Sequence, residues 1–248
     1  MESYSCTEYI NTANLNKIIA SKKVDEETLT KLLRLKKRLK GSTSHTLRFI
    51  SKVKLHKTKG VGRMYPSHNN PSLQDMPRNV RKALCYDKHS DVDIVNAHPV
   101  LLRQVFHENG IPCGSLDRLV LDREACLRDT GKSRDDAKMC FLRAMYDGKP
   151  KEDDTVFVRK FYEDFKTASK MLLNTAEYHT YLDLGKLRKP TNPIGHAMSF
   201  IGQDKERQAV SQIISTLQDN GYETSTLIHD GFHVKSLNVN PEHIQEAK

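Results

Sequence analysis

The chain has no tryptophan, only 7% aromatic residues and no long apolar run. A helix that spans a bilayer needs about 20 consecutive apolar residues, so no membrane partner is expected. Five cysteines lie scattered at 6, 85, 113, 126 and 140, with no CxxC pair. That spacing argues against a disulfide framework and a thiolate zinc site, and for reduced thiols inside a cell. The opening "MESYSCTEYINTANLNK" lacks a basic stretch followed by an apolar core. A secretory signal is therefore not expected, and an intracellular location is. Acids are missing altogether between Lys31 and Lys59.

What is present suits a folded protein. The 248 residues are 37% hydrophobic and 29% charged, enough for one large domain or two small ones. The net charge of +9 favours a polyanionic partner. Its distribution says more: "KLLRLKKRLK" and "LRFISKVKLHKTKG" crowd cations into the acid-free stretch. Leu32, Leu35 and Leu39 give the first of these a buried stripe and turn its cations outward. Such a one-signed surface is an electrostatic footprint for nucleic acid.

Along the chain, residues 1–42 read as two or three helices and 45–66 as β structure. A polar, turn-rich loop, "SHNNPSLQDMP", precedes a short helix over 78–86. Helices are predicted over 132–147, 155–177 and 200–219, with a loop at 184–196. A strand at 222–229 meets Asp-Gly and returns through "FHVKS". Helices mixed with a small antiparallel sheet define an α+β class. In "NVNPEHIQEAK", Asn240, Pro241 and Glu242 carry the signature of a helix start. A longer protein continuing beyond 248 is expected from it.

Three stretches carry chemistry. "DVDIVNAHPVLLRQVF" alternates acids with β-branched residues and then shifts to a helical apolar face, which sets Asp91 and Asp93 near a strand end. In "GKSRDDAKMCFLRAMYDG", Arg134, Lys138, Leu142 and Tyr146 recur every four residues and share one helical stripe. Two cations and a ring in a row suit a triphosphate and a base, although an ordinary solvated helix face explains them equally well. "TLIHDGFHV" reads as a hairpin that fixes Asp230 at its tip beside His229. If the two strands are neighbours, Asp93 and Asp230 offer paired hard oxygen ligands for Mg²⁺.

In this order the residues resemble motifs A, B and C of family A DNA polymerases and of the single-subunit phage-type RNA polymerases. "VGRMYPSHNNPSLQDMPRNVRKAL" is similar to the stretch that precedes motif A there, through Gly62-Arg63, Leu73-Gln74 and Pro77. Within that superfamily the chain looks closest to the small polymerases of transposons and viruses, often joined to a helicase. The resemblance implies a right hand: a basic, thumb-like helical region over 1–60, and palm and fingers over 61–248. It assigns Asp93 and Asp230 as catalytic ligands of two Mg²⁺ ions (Mn²⁺ as the alternative), with the carbonyl of Ile94 as a further ligand. Arg134, Lys138, Tyr146 and His98 would meet the nucleoside triphosphate. Arg63, Gln74, Arg81, Gln203 and His229 would touch a DNA primer-template.

Departures from the pattern are specific. Tyr146-Asp147-Gly148 is one residue longer than the family's Tyr-Gly, and Leu142 replaces an aromatic residue. His98 stands where the DNA enzymes carry a glutamate, which leaves sugar choice open. Asp91 is an alternative to Asp93 with a less suitable spacing. The expected function is a template-directed nucleotidyltransferase, a DNA polymerase of a virus or mobile element. The alternatives are a primase or RNA polymerase of the same fold, and a nucleic-acid-binding domain without catalysis.

Overall fold

The computed structural model describes residues 3–39, 46–53, 61–66, 71–85, 89–236 and 238–245, with backbone only for 3–5 and 46–53. Parts of the basic run (40–45 and 54–60) and of the turn-rich loop (67–70) lie outside the described residues. The class is α+β, as the sequence pattern indicates. No helix among the described residues is long and apolar enough to cross a membrane. The chain divides into two compact units, one of residues 1–94 with 206–248 and one of 95–205.

The first unit holds both sheets. β1 (Ser3–Tyr9) pairs antiparallel with β2 (Thr46–Val53), and β2 with β3 (Met64–Pro66). Between β1 and β2 run α1 (Thr12–Ser21) and α2 (Glu26–Leu39). β1 corrects the expectation that this end is wholly helical. Its residues alternate, with Cys6 and Glu8 buried and Thr7 and Tyr9 half-exposed, the period of a strand with one covered face. α2 follows its leucines: Leu32 and Leu35 are fully buried, while Arg34 and Lys37 are exposed.

A 3₁₀ turn at Leu73–Asp75 leads to α3 (Arg78–Cys85) and then β4 (Ser90–Asp93). β4 is an edge of the second sheet, ordered β4-β6-β5, whose other strands are β5 (Thr224–Ile228) and β6 (Gly231–Val234). Val92, Leu227, Phe232 and Val234 pack its covered face. The terminal α11 (Pro241–Gln245) starts as its signature indicates, the Glu242 N–H donating to Asn240 Oδ1 at 3.0 Å.

The second unit is helical: α4 (Ala97–Glu108), α5 (Gly114–Leu121), α6 (Arg123–Arg128), α7 (Arg134–Met145), α8 (Val156–Leu173) and α9 (His179–Arg188). α10 (Pro193–Asp219) begins in it and ends in the first unit. Phe106, Phe141, Phe161 and Phe165 form its core. The loop expected at 184–196 is mostly helix. Pro193 opens α10, where a missing N–H costs nothing, and Asn192 Oδ1 accepts from the Gly195 N–H at 3.0 Å. The proline marks a helix start that was taken for a loop.

Candidate cation and nucleic-acid site

In the β4-β6 register Asp91 faces His233 and Asp93 faces Gly231. Since strand side chains alternate, Asp91 and Asp93 stand on one face, about 6.8 Å apart along the strand. The hairpin turn is His229-Asp230, with His229 in the left-handed region at φ +51°. Gly231, expected in the turn, is instead the first residue of β6. It is needed for space, because a Cβ there would lie 2.0 Å from Asp93 Oδ1 and 2.5 Å from the Val92 carbonyl oxygen. The Asp93 carboxylate thus sits over the backbone that follows Asp230. The Ile94 N–H donates to the Asp230 carbonyl at 2.9 Å and locks the hairpin tip to the strand end.

The Asp93 carboxylate responds to this setting. Desolvation, then the charges of Asp230 and Asp91, push the Asp93 carboxyl above its ordinary value, and Arg78 and Arg81 of α3 only partly offset this. A divalent cation relieves such repulsion. The donors fit one: two hard carboxylates leave positions for water and phosphate oxygens, as Mg²⁺ prefers. Among the described residues no cluster of three or more His, Cys, Asp or Glu could hold a metal ion. A closed protein cage is therefore not what these residues build.

Around the pair, the expected nucleic-acid contacts divide. Arg63 is clamped by buried Glu206, its Nε and Nη2 donating at 2.7 and 2.8 Å. Beside them His229 packs edge-on to Tyr65, and burial, with the Arg63 charge, lowers its pKa. Gln74 is buried, its Nε2 donating to the Met64 carbonyl at 3.1 Å. There it braces β3. Arg81 stays half-buried on α3, donating to the Met76 carbonyl at 3.3 Å.

In the second unit the expected nucleotide-binding residues do occupy one helix and its end. Arg134 and Lys138 are on α7 and Tyr146 caps its C-terminus. The cations are paired, however: Arg134 Nη2 lies 2.7 Å from Glu124 and Lys138 Nζ 3.1 Å from Asp135. The Tyr146 hydroxyl hydrogen-bonds to His98 Nδ1 of α4, the rings edge to face at 6.0 Å. Gly202 of α10 gives His98 room, since a Cβ there would meet its Nδ1 at 2.9 Å. Gln203 donates along α10 to Ser199 Oγ at 2.9 Å. The extra residue Asp147 has a physical role: at φ +56° it turns the chain out of α7, and the Gly148 N–H closes the helix on the Arg143 carbonyl at 2.8 Å.

Arg81, expected at nucleic acid, belongs to a second cluster whose other members were not expected. Arg78, Arg81, Lys82 and Cys85 lie at i, i+3, i+4 and i+7, one face of α3. With His89, Asp91 and His233 they line a cavity of about 130 Å³. Reading α3 as a helix with an i, i+3, i+4 basic face would have found it.

A protein described as "Putative helicase V13" of Sputnik virophage matches the chain at 27% identity over 254 residues, 94% of this chain and 32% of that protein. The chain therefore spans about a third of that relative's length. No protein-family model and no solved structure matches. The match corrects the expectation of a DNA polymerase, and of a primase or RNA polymerase of the same fold, because the relative is named a helicase. A helicase name directs attention to Gly131-Lys132-Ser133, the one Gly-Lys-Ser/Thr triplet in the sequence. A phosphate-cradling loop also needs a glycine five residues before Gly131 and a preceding strand. Here Cys126 and α6 occupy those places, and Lys132 Nζ lies 2.5 Å from Asp153 and 3.1 Å from Asp154. The triplet is a helix start, with Ser133 Oγ accepting from the Asp136 N–H at 3.2 Å.

Proposed function

We propose that this chain is a nucleic-acid-gripping module of a larger, helicase-related protein, and that Asp93 and Asp230 hold a divalent cation against a phosphate of the bound strand. The observation that carries this reading is the Asp93 carboxylate seated over Gly231 beside Asp230, with its pKa pushed up by burial and by the neighbouring acids. The net charge of +9 and the helicase-named relative support a nucleic-acid partner. In architecture, the β4-β6-β5 sheet is read as the counterpart of the palm of the polymerase superfamily that the sequence resembles.

A bound Mg²⁺ would neutralise the carboxylates and offer its remaining positions to phosphate oxygens. The protein's part is to fix the two acids on a paired strand and hairpin, so that little ordering remains when the ligand arrives. Gly131-Lys132-Ser133, closed by its ion pairs, is given no nucleotide role.

Manganese titration followed by water-proton relaxation tests the reading, together with oligonucleotide anisotropy with and without Mg²⁺. Asp93→Asn and Asp230→Asn should each weaken Mn²⁺ binding at least roughly tenfold, the loss of one charged ligand from a two-carboxylate site. Both should also abolish any Mg²⁺ enhancement of oligonucleotide binding. Gly231→Ala should do the same by displacing Asp93. Unchanged Mn²⁺ binding in both Asn variants overturns the assignment.

A further inference from the structure

The cavity beneath α3 is built for an anion. Arg78 and Lys82 are exposed along its rim and Arg81 is half-buried within it. Among the described residues none of the three enters an ion pair; Arg81 donates to the Met76 carbonyl, and Arg78 and Arg81 act on Asp93 only through their charges. The single carboxylate lining the cavity, Asp91, is already engaged, 2.8 Å from Nε2 of His233. His233 is 2% exposed, and its Nδ1 has no partner. His89 stands against it, ring centroids 5.5 Å apart. At about 130 Å³ the space far exceeds what one water requires.

We propose that this cavity is a phosphate site that takes one backbone phosphate of a nucleic-acid strand, with Arg78, Arg81 and Lys82 as its donors. Among the described residues no acid forms an ion pair with these three cations, and the positive potential they leave attracts an anion from outside. Arginine offers planar, bidentate geometry to phosphate oxygens, and lysine a mobile point charge. The choice of a strand over a free ion rests on the function proposed above. Asp91 and Asp93 are two residues apart on one face of β4, so the cavity lies one side-chain repeat, about 6.8 Å, from the carboxylate pair. One strand can then place consecutive phosphates at the cation and in the cavity. The buried Nδ1 of His233 adds an acceptor, which suits a sugar or base donor next to that phosphate.

The test measures anisotropy of a labelled single-stranded oligonucleotide on the full chain over a range of salt, in EDTA and in Mg²⁺. Arg78→Gln/Lys82→Gln should weaken binding roughly tenfold in EDTA and lower the slope of log K against log salt by about 0.7, the step for one lost phosphate contact on a single strand. Lys160→Gln/Lys186→Gln, which removes two cations elsewhere, should change neither. Should the α3 pair fail to fold by circular dichroism, Lys82→Gln alone should still weaken binding in EDTA and lower the slope, by no more than about 0.7. An unchanged slope in the folded α3 variant overturns the proposal, even where the Asp93 and Asp230 variants lose their Mg²⁺ response. Loss of binding in EDTA with no Mg²⁺ response in the wild type upholds the phosphate site and overturns the cation site. If the α3 variant loses only inorganic phosphate binding, followed by ³¹P line width, the site takes free phosphate and the strand reading falls.

Discussion

Two basic helices, α3 and α7, read alike in sequence, and the structure treats their charges in opposite ways. On α7, Arg134 and Lys138 lie against Glu124 and Asp135, and Arg143 of the same helix reaches buried Asp154. On α3, Arg78, Arg81 and Lys82 line a cavity whose one carboxylate is engaged elsewhere. The buried acids differ in the same sense. Asp154 in the second unit meets Lys132, Arg143 and the Lys151 N–H. Among the described residues, Glu8 in the first unit pairs with no cation and is held by Ser72 Oγ and the Leu73 N–H at 2.8 and 2.9 Å. The second unit neutralises its charges to hold itself together. Around β4, among the described residues, the α3 cations enter no ion pair and only partly offset Asp93, and an unpaired, pre-positioned charge is where a ligand gains most.

The largest effect should come from breaking the compensated side. Burial pushes the Asp154 carboxyl up, but the Lys151 N–H, Lys132, Cys140 and Arg143 outweigh it and hold the group well below the usual carboxylate range. Asp154→Ala leaves Arg143 without its anion and Lys132 with Asp153 alone, and should cost about 3–5 kcal/mol, read by urea unfolding. Because its folded pKa is depressed, Asp154 contributes stability at neutral pH that is lost as pH falls below the ordinary carboxylate value. A loss under about 1 kcal/mol would mean that these charges are no better compensated than surface pairs.

Glu8 should behave in the opposite direction. Burial raises its pKa from 4.5 to about 7, against the hydrogen bonds of Leu73 and Ser72. Its folded form therefore holds a proton that the unfolded chain has already released. Below pH 4.5 it costs nothing; from there to about pH 7 stability falls, by on the order of 3 kcal/mol in all. Glu8→Gln should flatten stability across that window while leaving the acid limb set by Asp154 in place. Unfolding midpoints at pH 5 and pH 7 check this, and an equal decline in wild type and variant would show that Glu8 is not its source.

How far the sequence revealed this contrast depends on what each pattern encodes. The strand-to-helix change at 91–106 was legible because period 2 gives way to helical spacing within a few residues. The Asp93–Asp230 meeting was legible as a pair of strand ends, yet the role of Gly231 was not. Asp-Gly reads as a turn, whereas the turn is His229-Asp230 and the glycine makes room for the carboxylate. β1 was missed because one strand near helical neighbours shows its period over only seven residues. The pairing state of cations was invisible in principle, since Glu124 and Asp135 neutralise α7 through geometry that composition does not carry. Arg143, a third α7 cation, was passed over for the same reason: its partner lies across a turn, at Asp154.

The smallest expected effect is the sharpest test of the contrast. Arg134 and Glu124 are both more than half exposed, and Asp135 is almost fully so. Exposed pairs of this kind contribute little once solvent and salt screen them, so Arg134→Gln/Lys138→Gln should leave the urea midpoint close to that of wild type. The same substitution should leave the salt slope of oligonucleotide binding unchanged, because those cations already have counter-charges and release no ions on binding. Triphosphate binding is the discriminating readout. If it is also unchanged, α7 serves the fold, and the charges around β4 account for ligand binding. A tenfold loss would mean that the Glu124 and Asp135 pairs open for the nucleotide. Their acids would then be gates over the α7 cations, and compensation in the second unit would be a resting state of a binding surface.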